Sequence, residues 1–89
     1  MDNKDIKSLL ITKLNLEKAY IEGDKNHINI IVIGNIFKGV TQVKRQQMVY
    51  APLLKVITEK HIHAVSIMSY TPEEWKKKNK INNSNHLLK

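Results

Sequence analysis

The sequence predicts a small α+β domain in which a three-stranded mixed sheet carries its helices on one face, in the order α-β-β-α-β-α. Three observations lead to this fold class. The chain has 89 residues, 42% of them apolar, which suits one domain with one modest core. Helix signals occur in three segments and strand patterns in three others. A helical segment separates the second and third strands, as in a crossover connection.

The first predicted element is an amphipathic helix over residues 4–14. Asp2 or Asn3 is available as its N-terminal cap, and Asp5 in the first turn suits the positive end of the helix dipole. Its apolar side chains recur at steps of three and four residues, so they share the face that should meet the core. These residues are Ile6, Leu9, Leu10 and Leu14.

A β-hairpin is predicted next. Residues 18–22 have a strand pattern, residues 23–26 are typical of a turn, and residues 27–33 form an apolar, β-branched run. Because Ile30 to Ile33 are apolar at consecutive positions, this strand should be central in the sheet.

The middle of the chain predicts a loop, a helix and a third strand. After the loop over residues 34–39, apolar side chains repeat at helical spacing over residues 43–60. Pro52 lies inside this pattern, so we expect a kink or break near residues 48–50. Residues 62–68 then alternate as in a strand. The helical repeat consists of Val43, Gln47, Tyr50, Leu53, Leu54 and Ile57.

A compact helix-start motif follows the third strand. Thr71 is placed to cap the helix, Pro72 occupies the first helical position, and Glu74 completes a capping box. Tyr70 and Trp75 occupy the two positions of a hydrophobic staple. These residues predict a last helix that runs into the basic end of the chain.

The net charge of +7 is concentrated at the C-terminal end. Residues 76–89 contain five lysines and no acid, whereas residues 1–75 contain 10 basic and 8 acidic residues and so carry a net charge of 10 − 8 = +2. We predict one domain over residues 1–76 and a basic, flexible tail over residues 77–89. Attraction to nucleic acid and simple solvation of the tail both remain open as explanations of this charge.

Several functional classes receive no support from the sequence. The longest apolar run is far shorter than a membrane span, and the start lacks the pattern of a signal peptide, so we expect a soluble, cytoplasmic protein with no membrane partner. The chain has no cysteine, which excludes a disulfide or a cysteine-ligated metal centre supplied by this chain alone. Neither a glycine-rich phosphate loop nor a serine nucleophile motif is present, and we expect no enzymatic activity.

Histidines and one basic segment are the candidate binding residues. His61 and His63 are two residues apart around the start of the predicted third strand, so we expect them to point to the same side, and His27 opens the second strand. Neutral imidazole binds transition metals, but each histidine is also explained as an exposed polar residue. The segment Lys44-Arg45-Gln46-Gln47 suits contact with phosphates or with an acidic protein, and a hydrated helix end is the alternative.

Five blocks of residues, in register, resemble the BolA family and most closely its IbaG-like branch. The resemblance implies an α+β fold similar to a class II KH domain. The blocks are Gly23-Asp24 with His27, Phe37-Lys38-Gly39, residues 43–53, residues 62–67 and residues 70–75.

The same resemblance implies a function. BolA-like proteins pair with monothiol glutaredoxins and share a bridging 2Fe-2S cluster, to which the partner brings cysteine and glutathione. By this resemblance His63 matches the ligand histidine and His27 is the second metal ligand, whereas His61 lies outside the motif. We expect no cofactor in the isolated chain. Whether such a cluster is delivered or sensed stays open.

Two other functions remain alternatives. A DNA-binding transcriptional regulator would use the KH-like, helix-turn-helix-like middle helix, with Lys44 and Arg45 as contacts. However, the segment Gly39-Val40-Thr41-Gln42 lacks the second glycine of the Gly-x-x-Gly loop with which KH domains bind nucleic acid. A structural adaptor would dock a protein through the helix over residues 45–50 without any cluster. A homodimer is a further open possibility.

Overall fold

The computed structural model describes residues 2–88, with side chains described from Asp2 to Lys80. The predicted order of elements is confirmed, and a short 3₁₀ turn at Asn35–Phe37 precedes the middle helix. None of the helices in the described part of the chain has the length and apolar character needed to cross a bilayer. The elements are α1 (Asn3–Leu14), β1 (Lys18–Asp24), β2 (His27–Ile33), α2 (Gln42–Glu59), β3 (Val65–Tyr70) and α3 (Pro72–Leu88).

The three strands form one mixed sheet in the order β1-β2-β3. β1 and β2 are antiparallel, and Asp24 pairs with His27 at the hairpin end. β3 runs parallel to β2, with Ile28 opposite Val65 at its start. The predicted central position of β2 is therefore confirmed, and β1 and β3 are the edge strands.

The core lies between one face of the sheet and the helices α1 and α2. α1 begins with a capping box in which Asp2 and Asp5 accept hydrogen bonds from each other's backbone N–H, and its predicted apolar face is buried. Phe37 from the 3₁₀ turn is completely buried beside it. The core residues from the strands are Ala19, Ile28, Ile30, Val32 and Ile67, and those from α2 are Val49, Leu53 and Val56.

The third strand begins later than the sequence pattern predicted. Residues 62–64 precede it, because the chain is still turning out of α2: His61 has a left-handed backbone with φ 52°, and the N–H of Ile62 donates to the carbonyl of Ile57. Pairing with β2 starts only at Val65. His61 and His63 therefore do not share a strand face, and that expectation was wrong.

α2 is one continuous helix, so the predicted break near residues 48–50 does not occur, although Pro52 lies inside it. The apolar repeat that predicted this helix is not its buried face. Val43 is 70% exposed and Leu54 is 58% exposed, whereas Arg45 is only 4% exposed. An arginine interrupts the core-facing stripe, so the exposed apolar repeat is the more regular of the two in the sequence.

Arg45 is held by hydrogen bonds to three other parts of the chain. Its guanidinium donates to both carboxylate oxygens of Glu74, at 2.7 and 3.3 Å, and to the carbonyls of Ser69 at 3.2 Å and Val40 at 2.9 Å. The N–H of Thr71 donates to the same carboxylate at 2.8 Å, and Thr71 Oγ1 accepts from the N–H of Glu74 at 3.2 Å. The predicted capping box is thus confirmed, and its Glu74 carboxylate also binds the buried Arg45.

The start of α3 is anchored by aromatic packing as well. The rings of Tyr70 and Trp75 lie 5.3 Å apart between centroids, as the hydrophobic staple predicts. α3 continues to Leu88, so it includes most of the segment predicted as a tail. The flexibility assigned to residues 77–89 stays a prediction, and His86 falls outside the residues whose side chains are described.

We predict that the Arg45–Glu74 pair stabilises the fold while its neighbour Glu73 does not. Arg45→Met removes the donor that the carbonyls of Val40 and Ser69 and the carboxylate of Glu74 share. It should lower the free energy of unfolding by about 2–4 kcal/mol. Glu74→Gln preserves the capping geometry and should cost about 1–2 kcal/mol, since Glu74 is partly exposed and solvent screens its charge.

Urea denaturation measures both changes. Glu73→Gln is the matched control, because Glu73 lies in the same helical turn but, among the described side chains, pairs only with Lys38, at 3.8 Å on the surface. It should change the free energy of unfolding by less than about 0.5 kcal/mol. Equal losses for Glu73→Gln and Glu74→Gln would contradict the role given to Arg45.

The same pair predicts a pH dependence of stability. The hydrogen bond from Arg45, followed by that from the Thr71 backbone, lowers the pKa of Glu74 below its ordinary value of 4.5. The stabilisation from ionised Glu74 should therefore be complete above pH 4.5 and be lost as the pH falls through the lower folded-state pKa. Denaturation curves of wild type and Glu74→Gln should differ at pH 7 and converge in acid, whereas a constant difference would contradict this linkage.

Candidate metal and partner site

His27 is positioned by the tight hairpin between β1 and β2. The loop contains only Lys25 and Asn26, and Asp24 Oδ1 accepts a hydrogen bond from the N–H of Asn26 at 2.9 Å. Gly23 has φ +102°, and a Cβ there would lie 2.1 Å from the carbonyl oxygen of His27. Glycine is therefore required for the close approach of the two strands, which sets His27 at the start of β2.

The His27 ring is hydrogen-bonded across the sheet to the edge strand. Its Nε2 lies 2.7 Å from Ser66 Oγ, and both residues are exposed. Either group can donate, depending on the tautomer of the ring. While this bond lasts, Nε2 is engaged and Nδ1 is the ring nitrogen that remains for another ligand.

His63 lies in the segment that connects α2 to β3, and it is exposed. Its backbone N–H donates to the carbonyl of Lys25 at 2.7 Å, and the N–H of Ile28 donates to the carbonyl of Ala64 at 3.0 Å. These bonds attach the segment that contains His63 to the hairpin loop that precedes His27. The structure therefore brings both predicted ligands to the same end of the sheet.

The two histidines make an incomplete set of metal donors. Among the residues with described side chains, no group of three or more histidine, cysteine, aspartate or glutamate side chains is arranged to hold a metal ion. Transition metals in proteins take four or more ligands. The donor set therefore fits a metal site only where another molecule supplies the remaining ligands.

The basic segment at the start of α2 divides into buried and exposed residues. Arg45 is buried and its guanidinium donates four hydrogen bonds within the fold, so its predicted role in contacting a partner does not fit the structure. Gln46 is half-buried and donates at 2.7 Å to the carbonyl of Ile67 on β3. Lys44 and Gln47 are exposed, and a binding role for them stays a prediction.

An exposed apolar stripe on α2 is a surface feature that the sequence analysis did not identify. Val43, Tyr50 and Leu54 are exposed, and their spacing of seven and four residues puts them on one side of the helix. Gln46 is on the same side, three residues after Val43, and it reaches the carbonyl of Ile67. The stripe therefore runs beside the outer edge of β3. His63 lies in the segment that leads into this strand.

Comparison with known proteins identifies the family. A family model described as BolA-like protein matches residues 7–74. The chain is 44% identical over 82 residues to the acid stress protein IbaG of Escherichia coli K12, covering 92% of this chain and 98% of that protein. A protein of Buchnera aphidicola subsp. Acyrthosiphon pisum is 74% identical over 80 residues, covering 90% of this chain and all of the relative.

Solved structures of BolA proteins are similar to this chain in fold. BolA1 from Arabidopsis thaliana superposes with a TM-score of 0.73 at 29% identity, covering 81% of this chain and 93% of that one. A BolA protein homologue from Coxiella burnetii superposes with a TM-score of 0.65 at 33% identity, covering 85% of this chain and 97% of that one. With the helix and strand order, the mixed sheet and both sequence matches in agreement, the chain belongs to the BolA family.

Proposed function

We propose that this protein is a non-enzymatic, cytoplasmic partner of a monothiol glutaredoxin, and that the two share a histidine-ligated bridging 2Fe-2S cluster. Its role would be iron-sulfur trafficking or iron and stress sensing. The observation that carries the proposal is the joining of the His63 segment to the hairpin loop before His27. Membership of the BolA family and similarity to a protein named an acid stress protein support it.

The donor set explains why a partner is needed. This chain contributes two exposed imidazoles and no thiolate, because it contains no cysteine. A 2Fe-2S cluster takes four protein or cofactor ligands. A glutaredoxin with its cysteine and bound glutathione supplies the two that are missing.

The two histidines have different roles in this proposal. Within the described part of the chain, the only hydrogen bond of His63 is the one from its backbone N–H to Lys25, so we assign it as the first ligand. His27 is held by Ser66, and it must either release that bond or bind through Nδ1. Imidazole in place of thiolate raises the reduction potential of a 2Fe-2S cluster, and protonation of the ring releases the metal, so the ligation suits a pH-sensitive role.

The α2 stripe provides a docking surface for the same partner. Val43, Tyr50 and Leu54 lie on the β3 side of α2, and the chain leads from the end of α2 directly into the segment with His63. A protein seated on the stripe would therefore also reach His63. Apolar exposure of this kind is typical of a protein interface and not of a phosphate contact.

DNA binding through α2 has less support. Of the two basic residues proposed for it, Arg45 is buried against Glu74 and only Lys44 is exposed. A single exposed lysine provides little of the charge that phosphate recognition requires.

We predict that His63→Ala abolishes the visible absorption of the histidine-ligated cluster in an anaerobically reconstituted complex with a monothiol glutaredoxin. The two apo-proteins should still associate, because the stripe is unchanged. Iron content and visible circular dichroism measure the first effect, and size-exclusion chromatography measures the second. His61→Ala is the matched control, since His61 is also exposed on the same connection, and its complex should keep the wild-type spectrum. An unchanged spectrum for His63→Ala would remove His63 from the site.

We also predict that Leu54→Ser weakens association of the apo-proteins about tenfold, because a large apolar side chain is lost from the interface. Titration calorimetry with the glutaredoxin measures the change. Ile36→Ser is the control, because Ile36 is 40% exposed but lies in the 3₁₀ turn beside the C-terminal end of α1. An equal loss for both variants, or a loss for Ile36→Ser alone, would place the interface elsewhere.

A further inference from the structure

The sheet face opposite α1 and α2 carries two neighbouring rows of side chains that are open to solvent. Tyr20 on β1 pairs in register with Ile31 on β2, which pairs with Met68 on β3. Tyr20 is 42% exposed and Met68 is 49% exposed. In the next row toward the hairpin, Glu22 on β1 pairs with Asn29 on β2, and both are exposed. An aromatic and apolar row therefore lies beside a row that offers a carboxylate and a carboxamide.

A cavity of about 250 Å³ joins these two rows. It is lined by Tyr20, Glu22, Asn29, Ile31 and Trp75. The ring of Trp75, from the first turn of α3, lies 5.8 Å from the ring of Tyr20 between centroids, with an interplanar angle of 31°. Two aromatic side chains and the carboxylate of Glu22 therefore border the same space.

Glu22 gives this cavity a negative charge. It is the only charged residue in the lining, and within the described part of the chain it forms no ion pair. Tyr70 completes an aromatic cluster with Tyr20 and Trp75, since its ring lies 5.3 Å from that of Trp75. Lys78 Nζ lies 5.8 Å from the centroid of the Tyr70 ring, but neither Tyr70 nor Lys78 lines the cavity. The cavity therefore offers an uncompensated carboxylate beside aromatic rings.

A guanidinium group suits this set of side chains better than other cations do. It is planar and weakly hydrated, so it stacks on aromatic rings, and its fork of N–H donors matches the two oxygens of a carboxylate. Asn29 adds a carboxamide oxygen that can accept a further N–H. Because Glu22 and Asn29 are directly opposite each other in the strand register, one planar group can reach both.

The size of the cavity and the composition of the chain indicate the source of the guanidinium. Pockets that enclose small molecules have volumes of roughly 300–1,000 Å³, so this smaller cavity suits a single side chain. Arg45 is the only arginine in this chain and is 4% exposed, so a second copy cannot supply the group. The exposed side chain of Met68, beside Ile31, gives the rest of a partner an apolar contact. The donor is therefore an arginine of another protein.

We propose that this cavity binds an arginine side chain of a partner protein, with the guanidinium stacked against Trp75 and Tyr20 and paired with Glu22. Arginine and aromatic residues are enriched among the side chains that contribute most to protein interfaces. The surface includes neither His63 nor the α2 stripe. The proposal therefore goes beyond the glutaredoxin partnership.

Nuclear magnetic resonance titration of the full-length apo-protein provides a direct test, because Trp75 is the only tryptophan and its indole N–H gives a single signal. The probe is a short Gly-Ser peptide with one central arginine, and two matched peptides carry citrulline or lysine instead. The arginine peptide should shift the Trp75 indole signal and the side-chain amide signals of Asn29. Citrulline keeps the planar shape but lacks the charge, and should bind about fivefold more weakly. Lysine cannot stack or form a fork, and should bind about threefold more weakly.

Two pairs of variants locate the contact. Glu22→Gln keeps the size of the side chain but removes its charge, and should weaken binding of the arginine peptide about fivefold. Glu59→Gln, in the last turn of α2, is its matched control and should leave binding unchanged. Tyr20→Leu should weaken binding about threefold, whereas Tyr50→Leu, on the exposed side of α2, should not. Thermal unfolding of each variant verifies that it is folded.

Several outcomes would overturn the proposal. Equal affinity for the arginine and citrulline peptides would show that the cavity does not recognise the charge, and equal affinity for arginine and lysine would show that it recognises charge alone. If Glu22→Gln and Glu59→Gln have the same effect, the peptide binds elsewhere. If the arginine peptide does not bind but Tyr20→Leu separates a dimer in sedimentation analysis, the face is instead an interface between two copies of the chain.

Discussion

The buried guanidinium of Arg45 is the constraint on which most of the structure depends. A cation with almost no exposed surface must satisfy its donors within the protein, because an unpaired buried charge is very costly. Arg45 finds these partners in the loop before α2, at the end of β3 and at the start of α3. Those three parts of the chain are therefore held in one relative arrangement.

The rotation of α2 about its own axis follows from this constraint. With Arg45 turned inward, Val49, Leu53 and Val56 complete the core-facing side at helical spacing. Val43, Tyr50 and Leu54 are then turned toward solvent beside β3. The surface proposed for partner docking is thus a consequence of the buried ion pair and not an independent feature of the helix.

Local features could be predicted from the sequence, and features that depend on distant partners could not. The capping box of α3 was predicted correctly because its hydrogen bonds join residues three apart, and Asp2 was one of the two caps predicted for α1. The face of α2 was not, since Arg45 is buried by a carboxylate 29 positions away. The start of β3 was also missed, because a strand begins where pairing with β2 begins.

The same distinction applies to the candidate site. His63 and His27 were singled out by family resemblance and not by spacing, and 36 positions separate them in the chain. Their approach depends on the parallel pairing of β2 with β3, which no local pattern reveals.

The small size of the chain explains why the helices cover one face of the sheet much more fully than the other. A domain of 89 residues has enough chain to cover one face of a three-stranded sheet with helices, but little to cover the other. Among the described side chains, this face receives those at the start of α3, through Trp75 against Tyr20 and Tyr70 and through Lys78 over the Tyr70 ring. His27 begins the central strand at one end of this face, and the aromatic cluster lies nearer the other end. The uncovered face of the sheet therefore carries His27 towards one end and the rings of Tyr20, Tyr70 and Trp75 towards the other, and neither group interrupts the core behind it.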